Sequence, residues 1–390
     1  MARPGLATRL YQGEANINIV GRRKTWFIVA AVLVLISIGS FTFKKFDLGI
    51  EFAGGTSFSV PASADGKTLT QDQIQTAVTK AVLGAAPDAE VTTTQKVGDG
   101  DDATYTVRAS ALTAAESEKA KAALVADLGV KAEDVSDSQV SAAWGGAVTQ
   151  QAILGLVIFL VLVTGYLVIR FEWRMAVAAL ASLLLDLVLT AGVYSLVGFE
   201  VTPSTVIGFL TILGYSLYDV VVVFDKVQEN TRGITAGSSR TYSEATNLAV
   251  NQTLMRSLNT GLVALLPVGG LLFIGAGLLG AGTLKDLGLV LFVGMGFGVI
   301  SSIMFAAPVL SALKDQEPKI KAHNARVLNR RANRSDDVAR GERVRSANAT
   351  ESDEPAYAGT TPRPGARPAG KRNTNRGGGA GSRPQGGKRN

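Results

Sequence analysis

The chain has 390 residues, 47% of them hydrophobic, a formal net charge of +7, no cysteine and one histidine, His323. That composition excludes disulfide frameworks, thiolate zinc sites and histidine-centred catalysis. No Walker-type lysine motif supports ATP hydrolysis, so the chain reads as a protein that is not an enzyme and holds no cofactor.

Apolar runs of about 18–25 residues recur, the length an α-helix rising ~1.5 Å per residue needs to cross ~30 Å of hydrocarbon. Six spans are predicted: Trp26–Phe43, Ala152–Ile169, Met175–Val197, Thr202–Phe224, Leu258–Gly277 and Leu287–Ala307. The fold class is therefore an α-helical polytopic membrane protein. Residues 1–25 precede the first span (26–43), whose apolar core exceeds the ~7–15 residues of a signal peptide and is followed by no small-residue cleavage pattern. It reads as an uncleaved helix. Arg22, Arg23 and Lys24 precede span 1, Arg170 and Arg174 join spans 2 and 3, and Lys226, Arg232 and Arg240 join spans 4 and 5. Alternation puts these on one side with the basic C-terminal tail, and the positive-inside rule makes that side the cytoplasm. Both termini are then cytoplasmic.

The opposite side receives residues 44–146, where 15 Asp plus Glu outweigh 9 Lys plus Arg. FDLGIEFAGGTSFSV, with Gly49, Glu51, Gly54 and Gly55, reads as a strand with a glycine break. TQDQIQTAVTKAVLG carries Ile74, Val78, Ala81 and Val82 at helical spacing. AEVTTTQKV and ATYTVRAS, joined by VGDGDD turn chemistry, read as a hairpin. TAAESEKAKAALVADLG is a second helix ending at Gly129, and a last strand is predicted around Val135–Val140. The order β-α-β-β-α-β is ferredoxin-like, and about 100 residues suit one small α+β domain inserted after helix 1.

Residues 147–313 hold spans 2–6, with a cytoplasmic loop at about 225–253. Three ionisable residues fall within or at the edge of the apolar runs: Asp186, Asp219 and Arg256. An ionised side chain at the bilayer centre costs about 2.5–3.5 kcal/mol or more, so each is expected to face protein or water. Ser182, Asp186 and Thr190 share one helix face, and Gln252, Arg256, Asn259 and Thr260 make a similar stripe. Both stripes read as polar linings. Tyr215 and Ser216 precede Asp219 by one turn, within hydrogen-bonding reach. Asp219 lies roughly 9 Å from the inner end of its span, and Arg256 enters the next span from the same side, so an Asp219–Arg256 pair is geometrically allowed.

Two readings stay open for these groups. In one, Asp219 sits in an intermittently wet path and loads and releases protons. In the other they are structural: Ser182 and Thr190 satisfy Asp186 within its own helix, Asp219 is only a structural group, and Arg256 snorkels to the interface. The glycines of GLLGAG and GMGFG read as close helix packing.

The tail, residues 314–390, carries 18 Lys plus Arg against 8 Asp plus Glu. It has no long apolar run with which to offset chain entropy and is expected to be disordered. His323 lies here, away from other ligands. The charge suits anionic lipid or RNA, but Tyr357 is the tail's one aromatic residue, so a stacking platform is absent.

FDLGIEFAGGTSF after span 1, GYSLYDVVVVFDKVQEN in span 4 and NQTLMRSLNTGLVALLP entering span 5 resemble the signature segments of the SecF family of the bacterial Sec export system. That family forms one half of an RND-superfamily bundle, and the resemblance covers roughly residues 15–315. It implies that Asp219 is the membrane carboxylate of a proton pathway, Arg256 its basic counterpart and Asp186 a further acidic position. It also implies SecD as the other half of the bundle, the SecYEG translocon and YajC-type subunits as neighbours, and an unfolded secreted chain held by the external domain. Membrane lipids complete the partners, the location is a bacterial inner or plasma membrane, and the proton gradient serves as energy source in place of a cofactor. Three positions depart from the family pattern: Glu51 stands for the usual Asp, Tyr218 for Asn, and Val220 for a hydroxyl residue. Asp219 is thus expected to have few local donors. Two other classes stay open, a non-transducing translocon scaffold and half of an RND-type small-molecule or lipid exporter. The exporter needs a larger apolar cavity than the polar, alanine-rich helices at 70–84 and 113–129 are expected to supply.

Overall fold

A computed structural model describes residues 16–64, 67–98, 103–278 and 282–350. Helix α1 (Arg23–Phe43) leads into strand β1 (Asp47–Leu48) and a single helical turn, α2 (Ile50–Ala53). There follow β2 (Gly55–Pro61), β3 (Ser63–Ala64), β4 (Lys67–Thr68), α3 (Gln71–Ala85), β5 (Val91–Val97), β6 (Thr104–Ala109), α4 (Ala114–Leu128) and β7 (Ser136–Val140). The strands order as β5-β6-β2-β7, all antiparallel, which with the two helices is the expected ferredoxin-like topology.

Alternation builds this domain's core. Phe58, Val60, Tyr105 and Val107 point to one side of the sheet and pack on Ile74, Val78, Val82 and Leu124 of the helices. Both helices open with capping boxes, Thr70/Gln73 and Thr113/Glu116, and α4 stops at Gly129 in the left-handed region. The segment from Phe46 to Val60 is not one strand, as expected, but β1, a helical turn and β2. The break is conformational: Gly54 has φ +75° and Gly55 φ +131°. Residues 99–102 of the VGDGDD turn lie outside the described residues.

Six helices are long and apolar enough to cross a membrane among the described residues. After α1 these are α5 (Ala142–Arg170), α6 (Trp173–Val197), α7 (Pro203–Thr231) and α8 (Tyr242–Gly270), with the two-residue strand β8 (Glu200–Val201) between α6 and α7. A π-helical stretch, Leu271–Leu278, follows Pro267, whose missing N–H already interrupts the α-helical ladder. The sixth span is α9 (Gly282–Ser301), a π-helical turn Ser302–Ala306 and α10 (Ala307–Asp315). The expected loop at 225–253 contracts to residues 232–241, because α7 runs on to Thr231 and a Thr241/Glu244 capping box starts α8 early. A capped helix end does not need hydrocarbon around it. Likewise α5 begins at Ala142, behind a Ser141 cap, so the domain ends short of residue 146.

Helices α6, α7 and α9 form the centre of the bundle, while α1, α5 and α8 leave broad apolar faces exposed, with Leu35, Leu162 and Val263 on them. The glycines of GMGFG make the α7–α9 contact close: a Cβ at Gly294 would stand 2.2 Å from Ile212, and one at Gly298 would stand 3.2 Å from Ser216. Residues 279–281 of GLLGAG lie outside the described residues.

The chain divides into two units, residues 1–332 and 333–390. Disorder from residue 314 onward is corrected for the described part, which is helical in α11 (Pro318–Thr350). Ile320, His323 and Val327 recur at helical spacing and are buried, a stripe too short to register as an apolar run. His323 Nε2 lies 2.9 Å from Arg240 O, and Arg331 reaches Glu244 at 2.6 and 2.7 Å. Buried Lys314 contacts Glu172 and Glu317, Arg174 pairs with Glu317 at 2.7 Å, and Arg23 pairs with Asp315 at 2.6 Å. Expected disorder of residues 351–390 falls outside the described residues. Truncation after Glu317 is expected to leave membrane insertion intact but to lower stability by several kcal/mol, since burying one aliphatic side chain contributes about 1.5–3 kcal/mol. Thermal unfolding of the solubilised chain checks this; an unchanged transition would mean that α11 contributes nothing.

Candidate functional site

Asp219 is buried in α7, 2% exposed. Ser257 Oγ of α8 donates to its Oδ1 at 2.7 Å, and Ser302 Oγ donates to its Oδ2. Each carboxylate oxygen therefore has one hydroxyl donor, each from a different element. Ser302 opens the π-helical turn, whose extra residue changes the direction in which successive side chains point. Its hydroxyl also stands 3.0 Å from Val299 O, so one proton has two acceptors.

Asp186 lies fully buried in α6. Ser216 Oγ donates to its Oδ2 at 2.5 Å, while Oδ1 is buried without a partner. Ser182 Oγ lies 3.4 Å from Ser301 Oγ, which in turn reaches Gly298 O at 3.3 Å. Ser301 and Ser302 are consecutive, and Ser216 precedes Asp219 by a turn. The two carboxylates thus sit among neighbouring buried hydroxyls contributed by α6, α7, α8 and the end of α9. Neither carboxylate forms an ion pair among the described residues, and no group of three acidic or histidine residues there is arranged to hold a metal.

The expected residues separate into two groups. Asp219, Asp186, Ser182 and Ser216 come together, with Thr190 Oγ1 bonded to Asp186 O at 2.7 Å. Tyr215 Oη is buried but unpartnered, and Ser216 serves Asp186, not Asp219 as its place in the sequence suggested. Gln252, Arg256 and Asn259 lie on the exposed face of α8, with Thr260 half-buried beside them. The Asp219–Arg256 pair does not form: Arg256 Nη2 donates to Tyr218 Oη at 3.2 Å, and Gln252 Oε1 accepts from Asn230 Nδ2 at 2.9 Å. The reason is rotation. Each helical residue turns the side chain by about 100°, so when Ser257 faces inward its neighbour Arg256 cannot. The stripe expected to line the interior is the outer face, and Ser257, Ser301 and Ser302 are the lining that sequence reasoning missed. Their signal was a hydroxyl pair inside SSIMF and a serine inside MRSLN.

Gly54 and Gly55 sit where the α+β domain meets the bundle. A Cβ on Gly54 would stand 2.8 Å from Ala142 Cα, and one on Gly55 2.7 Å from Ala109 O. Gly49 and Glu51 lie beside them, next to Glu200.

Residues 120–316 match the family described as protein export membrane protein SecD/SecF, C-terminal, and residues 39–65 match the SecD/SecF GG motif. The chain belongs to the SecD/SecF family. It is 46% identical over 331 residues to the protein translocase subunit SecF of Mycobacterium tuberculosis (strain CDC 1551 / Oshkosh), covering 83% of this chain and 73% of that one. It is 45% identical over 352 residues to SecF of Streptomyces coelicolor, covering 90% and 89%. The crystal structure of SecDF, a translocon-associated membrane protein from Thermus thermophilus, superposes with a TM-score of 0.66 at 26% identity over 80% of this chain. This chain spans 42% of that SecDF. Within the SecD/SecF family its resemblance is to the SecF half, and the fold is that of an RND-type membrane half with its α+β domain.

Proposed function

We propose that the chain is the SecF-type half of a SecD–SecF assembly that uses the proton-motive force to assist protein translocation through the Sec channel, with Asp219 as its membrane proton carrier. One observation carries the reading: Asp219 is held in the bundle by two neutral hydroxyls and, among the described residues, forms no ion pair. Such a site accepts either protonation state by exchanging donors. Ionised, Asp219 receives the Ser302 proton; protonated, it donates to Ser302 Oγ, and the serine proton turns to Val299 O. The π-helical turn therefore feels each protonation change as a rearranged hydrogen bond.

In this reading the α+β domain lies outside and both termini lie in the cytoplasm, an orientation that the arginine and lysine distribution supports. The SecD half covers the exposed face of α7 and α8. There Tyr218, Gln252, Arg256 and Asn259 stand among exposed Leu258, Leu262, Val263 and Leu266, and polar groups in lipid demand a polar partner. One proton crossing about 100 mV releases about 2.3 kcal/mol, which biases a two-state movement by nearly fifty-fold at ~1.4 kcal/mol per decade.

The test is export of a secreted protein into inverted vesicles that contain the Sec channel and SecD, with and without this chain, before and after the gradient is collapsed. Stimulation that needs both chain and gradient supports the reading. Equal stimulation after collapse makes the chain a scaffold. Arg256→Ala is expected to leave the isolated chain's stability within about 0.5 kcal/mol, as for exposed positions generally, while weakening gradient-dependent export. Unchanged export would make Arg256 a lipid-facing residue.

A further inference from the structure

Where the α+β domain meets the bundle, four carboxylates and two cations converge: Asp47 of β1, Glu51 of α2, Glu200 of β8 and Asp286 of α9, with Arg108 of β6 and Lys285 of α9. Strand β1 pairs in parallel with β8, setting Asp47 opposite Glu200, and Gly49 N donates to Val201 O at 2.9 Å. Arg108 comes from the sheet and is 7% exposed. Its Nη1 donates to Leu48 O at 2.5 Å and stands 3.6 Å from Glu200 Oε1, while its Nη2 is buried and unpartnered.

The carboxylates of Glu51 and Glu200 both reach over Gly49. A Cβ placed there would meet Glu51 Oε2 at 2.5 Å and Glu200 Oε1 at 3.0 Å, so both carboxylates close over the Gly49 backbone. Glu51 Oε2 is buried without a donor. A cleft of about 470 Å³ opens beside them, lined also by Ser57, Thr106, Lys285 and Asp286, and gives water a route to the pair. The Glu51 charge disfavours ionisation of the half-buried Glu200 carboxyl beside it.

We propose that Glu51 and Glu200 form a proton-binding site that ties the α+β domain to the membrane helices, taking up a proton as the joint closes and loosening it as that proton leaves. Burial pushes the Glu200 carboxyl above the usual range; Arg108 opposes this, Glu51 reinforces it, Lys285 opposes it and Asp47 reinforces it. Because the value is raised in the closed joint, closure binds the proton more tightly than the open joint does. Closure is therefore favoured at low pH and lost as pH rises through the closed-state value. This inference does not rest on Asp219 carrying protons.

The chain has no cysteine, so spin labels can be placed cleanly on the two walls of the cleft through Ser138→Cys and Ser204→Cys. Label-to-label distances are then measured on the full chain in lipid nanodiscs from about pH 5 to about pH 9, a range that spans a raised carboxyl. The wild type is expected to give one narrow distance in acid that broadens as pH rises. Glu200→Gln, a neutral mimic, should stay narrow throughout, and Glu51→Gln should shift the transition to lower pH by removing the neighbouring charge. A distance that ignores pH, that broadens in acid instead, or that keeps the wild-type midpoint in both variants would overturn the proposal.

Discussion

Replacing Asp219 by asparagine is expected to leave the chain folded and inserted while abolishing the gradient-dependent part of export. Asparagine keeps the shape. Its Oδ1 still accepts from Ser257, and its Nδ2 donates to Ser302 Oγ, whose own proton then turns to Val299 O at 3.0 Å. No buried group loses its partner, so the stability cost stays near that of one neutral hydrogen bond, about 1 kcal/mol. What disappears is the titrating proton, and with it a bias of up to about 2.3 kcal/mol per charge at 100 mV. Export through vesicles at matched protein levels checks this: stimulation falls to the level without a gradient if Asp219 is the carrier, and full stimulation makes it a packing group. Ser302→Ala is the informative companion, because it leaves Asp219 Oδ2 buried without its donor, at about 1–3 kcal/mol.

Gly54→Ala is expected to damage the joint between the α+β domain and the bundle severely. At φ +75° an L side chain is strained by about 1–3 kcal/mol. The added Cβ would also lie 2.8 Å from Ala142 Cα and 2.9 Å from Ala142 N, and backbone at the start of α5 cannot rotate aside as a side-chain tip does. Relief requires α2 to move away from α5. Thermal unfolding should fall by several degrees, and limited proteolysis should cut earlier between residues 44 and 141. An unchanged transition and cleavage pattern would mean that this joint is far more pliable than its close contacts indicate.

Much of the fold was legible because it rests on long periodic signals. Apolar runs marked the six spans, alternation in FDLGIEFAGGTSFSV and the β-rich AEVTTTQKV and ATYTVRAS marked the sheet, and the helical spacing of Ile74, Val78, Ala81 and Val82 with the stop at Gly129 marked the two helices. The site was legible in its carboxylates and in Ser182 and Ser216, but not in its other hydroxyls. Asp186 and Asp219 stand out because a charge in an apolar run is costly, whereas Ser257 and Ser302 are unremarkable residues whose role depends on which helices meet. Spacing alone also could not say which of α8's two polar faces turns inward. The Ser257 face and the Arg256 face are one residue apart, and packing against α7 and α9 decides between them. The Glu51–Glu200 joint joins positions about 150 residues apart and left no local trace. In α11 the stripe of Ile320, His323 and Val327 was hidden by the charge around it.

The proposed mechanism requires Asp219 to change protonation inside the assembled membrane protein. It is tested most directly by pH-dependent infrared spectra of the chain reconstituted with SecD, comparing wild type with Asp219→Asn. The expected result is a carboxyl carbonyl band that grows and fades with pH in the wild type and is absent from the variant. A wild-type spectrum whose titrating carboxyl bands all survive in Asp219→Asn would contradict the account.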